Sequence, residues 1–154
     1  MTAVAATGDA YDYDWAVLRV VPRVHLGAFE NVGVVLHARR ARFLGVRVCA
    51  DPAAVAARWR GLDAGLLARY LEAARVVAAG APRASPPGGP QTGGPQTGGP
   101  QAGGPIGLLP PSERFHWLVA VRSTVLQASP VHTGRAVDLA AALDGLFRAY
   151  VGGP

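Results

Sequence analysis

Arg114, His116, Arg122, Ser123, Thr124, Gln127 and His132 fall within 19 residues of a stretch otherwise rich in apolar side chains. Guanidinium forks, hydroxyls, a carboxamide and imidazoles are the donors that hold a phosphate or a carboxylate, the fork through two parallel hydrogen bonds. The cluster therefore predicts an anion or partner contact. Its catalytic version uses His116 and His132 as an acid and base pair, since imidazole titrates near neutral pH. The competing structural reading pairs Arg114 with Glu113 or Glu30, ties the hydroxyls to their own backbone and leaves His132 in a loop. No catalytic spacing decides between them: a Walker-type loop, a nucleophile elbow and a dinucleotide fingerprint are all missing. Whether the chain is an enzyme stays open, and no catalytic residue is assigned.

Other polar residues carry weaker signals. Asn31 stands between the Phe29-Glu30 pair and an apolar run, where a side-chain amide ties down a connection. Gly33, inside that run, predicts a close backbone approach or a bulge. Arg39, Arg40 and Arg42 form the one local basic cluster. A basic hairpin touches nucleic-acid phosphates, but no aromatic residues interleave these arginines, so nucleic acid is not the expected partner. His25 and His37 complete neither H-x-x-x-H nor HExxH with the other histidines, so no metal and no cofactor are expected. Cys49, the single cysteine, excludes an internal disulfide and fits a small apolar residue at a strand end.

The elements that must position these residues follow from periodicity. Tyr11, Tyr13, Trp15 and Val17 alternate with Asp12, Asp14 and Ala16, a strand with one packed face running to Pro22. Asn31 to Leu36 is a continuous apolar run, typical of a strand covered on both sides. A polar tip, His37 to Ala41, leads into a third strand over Arg42 to Val48, giving an antiparallel three-stranded meander. Asp51-Pro52 starts a helix that Gly61 ends, and Asp63 caps a second that Gly80 and Pro82 stop. Residues 113–121 fit helix and strand equally. Ser123 to Gln127 reads as one C-terminal strand, Ser129 to Gly134 as a loop, and Asp138 caps a last helix. The expected class is α+β: an antiparallel sheet of the meander plus one C-terminal strand, packed with about three helices.

Composition sets the frame. The 154 residues give room for one ordinary domain, and 50% hydrophobic content with 16% charge excludes a wholly disordered chain. Residues 88–105 repeat GGPQT, GGPQT, GGPQA, GGP without a charged, aromatic or branched aliphatic side chain, so they cannot offset their ordering entropy. A disordered linker over 84–106 inside a single domain of residues 11–154, after a flexible 1–10 segment, is the expected organisation. The net charge of +5 sets 15 basic residues, all arginine, against 10 acidic ones, and the arginines are spread through the chain rather than gathered in a tail. No 18-residue apolar run and no secretory leader pattern occur, which predicts a soluble, cytoplasmic protein without membrane contact.

Two strings carry a family resemblance. Tyr13-Asp14-Trp15-Ala16-Val17-Leu18-Arg19-Val20-Val21-Pro22-Arg23, followed by Phe29 to Leu36, resembles the N-terminal half of the bacterial DUF3037 family. Ser112 to Ala120, Arg122 to Gln127 and Ser129 to Gly134 resemble its C-terminal half. The pattern departs at one place: family members carry an acid before the phenylalanine and an aliphatic residue after it, where this chain has Ala28 and Glu30. The resemblance implies no established activity. It implies a small accessory protein whose relatives are encoded beside a HipA-like kinase, so that kinase or another neighbouring gene product is the expected partner.

Overall fold

The computed structural model describes residues 8–80, 104–120 and 125–152. Five antiparallel strands, β1 (Tyr11–Arg23), β2 (Ala28–Ala38), β3 (Phe43–Val48), β4 (Leu126–Ala128) and β5 (His132–Ala136), form one sheet. Four α-helices among the described residues pack on it: α1 (Pro52–Arg58), α2 (Ala64–Ala79), α3 (Pro111–Val119) and α4 (Leu139–Tyr150). The class is α+β, and the N-terminal meander is β1-β2-β3 in that spatial order. The C-terminal part adds two short strands rather than one. Both lie along the same edge of β1: β5 pairs with Tyr11 to Trp15, and β4 with Leu18 to Val20.

The alternation in β1 serves two cores. Ala16, Leu18 and Val20 face α1, α2 and α3, packing with Val55, Leu67, Leu71, Val77, Phe115 and Leu118. Trp15 and Val17 face the other way, onto Leu139, Leu143 and Phe147 of α4. The sheet is thus the middle layer and β1 is covered on both faces, not one. Each fully buried leucine or valine contributes on the order of 1.5–3 kcal/mol, so both layers matter to stability. Helices start where carboxylates meet free N–H groups: Asp51, Asp63 and Asp138 accept from Ala54, Leu66 and Ala141 at 3.1, 3.0 and 2.9 Å. Residues 113–119 are helical, within α3, where Pro111 at its start supplies a preset φ.

The register shifts between Leu18 and Arg19, which pair with Gly33 and Asn31, leaving Val32 as the extra residue of a bulge. A Cβ at Gly33 would come within 3.0 Å of the Arg47 carbonyl oxygen. Ser129, Pro130 and Val131 separate β4 from β5, and Ser129 bridges the gap with two bonds to Val17. A short 3-10 turn at Gly104–Leu108 overlaps the last positions of the expected linker, whose remainder lies outside the described residues. No helix among the described residues is long and apolar enough to cross a membrane.

Candidate functional site

The arginine that looked best suited to clamp an anion is committed to the fold. Arg114, on α3, is buried, and its Nε donates to the Leu109 carbonyl at 2.9 Å. Its Nη1 donates to the Val77 and Ala78 carbonyls at 2.9 and 2.6 Å. Those carbonyls end α2, where a helix carries unsatisfied acceptors and partial negative charge, so the guanidinium caps α2 from outside. Gly80 makes the approach possible: its φ is 76°, and a Cβ there would lie 2.8 Å from Arg114 Nη1. Burial pulls the Arg114 pKa down from the ordinary value. Neither Glu113 nor Glu30 pairs with it.

The remaining members of the polar stretch separate. His116 is exposed on α3. His132 opens β5, and its ring lies tilted against Trp15, 4.8 Å between centres, on the α4 side of the sheet, so the sheet lies between the two imidazoles. Gln127, on β4, is directly opposite Arg19 of β1, and Arg19 is directly opposite Asn31 of β2. Arg122, Ser123 and Thr124 lie outside the described residues. Asn31 Nδ2 donates to the Tyr150 carbonyl at 2.9 Å, joining β2 to the end of α4. The Arg19 guanidinium sits 4.1 Å from the centre of the half-exposed Phe29 ring.

A second group of polar side chains does converge, at the opposite end of the sheet. Asp14 of β1 pairs directly with His37 of β2 and with Thr133 of β5, which puts the three side chains on one face. Together with Asp12, Tyr13, Arg39 and Arg40 they line a cleft of about 250 Å³. His37 is not at a polar tip: β2 runs on through Ala38, leaving His37 6% exposed with its ring stacked 5.3 Å from Phe115. Burial holds its pKa below the ordinary imidazole value, against the opposing pull of Asp14, so it is neutral at pH 7. Sequence periodicity missed this site because its residues come from three strands and a turn more than a hundred positions apart. The Asp12/Asp14 alternation and the Arg39-Arg40 pair were its only local signals. Among the described residues no three His, Cys, Asp or Glu side chains gather in a way that would hold a metal ion.

The described parts of the two strings that resembled a known family lie on β1, β2, α3, β4 and β5 and on the turns beside them, and residues 15–151 match the family described as a protein of unknown function, DUF3037. The chain belongs to the DUF3037 family. No curated protein and no solved structure matches it. In this DUF3037 chain the departure at Glu30 has a structural use. Its carboxylate accepts from Arg58 Nε at 2.9 Å and from Trp59 Nε1 at 3.2 Å, tying β2 to the end of α1. The Arg58 hydrogen bond, opposed by partial burial, holds the Glu30 carboxyl below its ordinary pKa. Cys49 of this DUF3037 fold is half-buried, and burial raises its thiol pKa.

Proposed function

We propose that this DUF3037 protein works by binding, as a cytoplasmic accessory module of a kinase-like partner of the HipA type, without turning over a substrate of its own. One observation supports the reading above others. Arg114 spends its fork on three backbone carbonyls, so the strongest candidate clamp of the polar stretch serves architecture. His116 and His132 stand on opposite sides of the sheet and do not form an acid and base pair. The kinase-like partner comes from the family resemblance. The test is capture of the tagged chain from its native host, followed by co-expression with the neighbouring gene product. A stoichiometric complex on size exclusion, with no nucleotide, peptide or RNA turnover by the purified chain, is the expected result. A turnover abolished by both Arg122→Ala and His132→Ala overturns it.

A second reading, a small enzyme acting on a phosphorylated or nucleotide substrate, draws support from a different address. A buried neutral imidazole, His37, borders a cleft that also holds Arg39 and Arg40. In that reading the two arginines hold the anion and His37 accepts a proton. Hydrolysis of a phosphomonoester or nucleotide that disappears in His37→Gln, with the melting temperature kept, would favour it over the binding module.

A further inference from the structure

We propose that the cleft lined by Asp12, Asp14, His37, Arg39, Arg40 and Thr133 binds a small dipolar ligand, one that carries a phosphate or carboxylate at one end and an ammonium group at the other. The inference concerns a small molecule, and it stands whether or not the chain also docks on a protein.

The first support is an imidazole with no hydrogen-bond partner among the described residues. A neutral imidazole has one donor and one acceptor, and leaving them unmet in a buried place is costly. The His37 side chain is more than nine-tenths buried, yet no described residue hydrogen-bonds to it. Phe115 stacks on the ring and holds its plane without offering a polar partner. The ring nitrogens are not sealed in either. The sealed, unpaired side-chain atoms among the described residues are Arg19 Nε and Asn31 Oδ1, both elsewhere on the sheet. The His37 nitrogens therefore meet the cleft.

Charge selects the class of ligand. Two arginines and two aspartates line the cleft, and His37 is neutral, so the formal charge of the lining is zero. A plain anion gains from Arg39 and Arg40 and loses to Asp12 and Asp14, and a plain cation does the reverse. A ligand with both charges gains at both ends. Asp12 has a loose, exposed partner in Arg135 at 3.7 Å, whereas Asp14 makes no ion pair among the described residues. Asp14 is thus the carboxylate left for an ammonium group, beside His37 in register. Size agrees: about 250 Å³ is below the usual range for drug-sized ligands and suits a molecule no larger than an amino acid.

The experiment titrates the full chain with O-phosphoethanolamine and with β-alanine, which share the ammonium and differ in the anion. Inorganic phosphate and ethanolamine are the half-ligand controls. Calorimetry gives affinity, and the ¹⁵N signals of the His37 ring report the site. At least one two-charge probe is expected to bind roughly tenfold tighter than either half, shifting the His37 signals. Asp14→Asn and the pair Arg39→Gln/Arg40→Gln each weaken that probe about tenfold, with circular dichroism and melting temperature unchanged. Which probe wins tells phosphate from carboxylate. The proposal falls if neither probe moves the His37 signals at millimolar concentration. It also falls if phosphate alone binds as tightly as both probes, or if the substitutions leave affinity intact. None of these outcomes bears on capture of a protein partner.

Discussion

The Ser129 hydroxyl accepts the Val17 N–H at 2.8 Å while the Ser129 N–H donates to the Val17 carbonyl at 2.8 Å, so a single residue supplies both bonds across the break between β4 and β5. Pro130 follows with no N–H to give, and its carbonyl accepts the serine proton at 3.0 Å. The side chain replaces a ladder bond that proline-induced irregularity would otherwise forfeit.

Removing that hydroxyl strands the Val17 amide inside the protein, because Val17 is only 4% exposed. Ser129→Ala is expected to cost about 1–3 kcal/mol in equilibrium urea unfolding, while Ser129→Thr keeps the acceptor and most of the stability. A change below roughly 0.5 kcal/mol for alanine, the ordinary range of surface substitutions, would refute the bridge.

Arg114 and Gly80 make a matched pair. Arg114→Met leaves the C-terminal end of α2 without its cationic cap and is expected to lower stability by roughly 2–3 kcal/mol. Arg114→Lys recovers only part, since one ammonium cannot reproduce a fork aimed at Leu109, Val77 and Ala78. Gly80→Ala costs roughly 1–3 kcal/mol from its backbone conformation, and more from the clash with the guanidinium. Denaturant midpoints of the three variants check the order.

His37 gives a pH signature. Its folded pKa lies below the unfolded value near 6.5, so the unfolded chain takes up a proton first as the solution is acidified. Its contribution is fully present above that value and is lost as pH falls through the window beneath it. Asp14 favours the charged ring, while His116, Arg39 and Arg114 oppose it. The melting temperature of the parent should therefore drop faster than that of His37→Gln between neutrality and mildly acidic pH. Parallel curves would disprove the assignment.

How the flanks of the glycine-proline repeat hold together is checked by cutting it. β4 and β5 pair with β1, and α3 packs on α2 and β2, so each side of the repeat covers surface on the other. A protease site placed within residues 88–105 should yield two fragments that co-elute and melt together. Separate elution would show that each side closes its own core.

Much of the architecture was legible because its signals are local. Asp51, Asp63 and Asp138 announce helix starts wherever they stand, and the apolar run of β2 needs no partner to be recognised. β5 was hidden. Pro130 and Gly134 have turn chemistry, yet Gly134 is directly opposite Tyr13, whose ring fills the space a Cβ would occupy. The glycine is there for the tyrosine, and only pairing over a long separation reveals it. Arg114 misled for the opposite reason. A guanidinium next to a histidine suggests a ligand, and its true partners are the backbone carbonyls of Val77, Ala78 and Leu109, which no side-chain pattern displays. His37 has the sequence surroundings of a hairpin tip because two arginines follow it closely, although its strand carries on past it.

β1 borders partners made both early and late in the chain: β2 follows it at once, whereas Ser129 lies 112 residues beyond Val17. During synthesis, therefore, a ribosome-bound chain that has already assembled its meander still shows a bare backbone edge and half of an apolar layer. Until the final third emerges, that edge can accept a strand from any neighbour, so pairing across so great a distance makes folding slow and nascent chains prone to association.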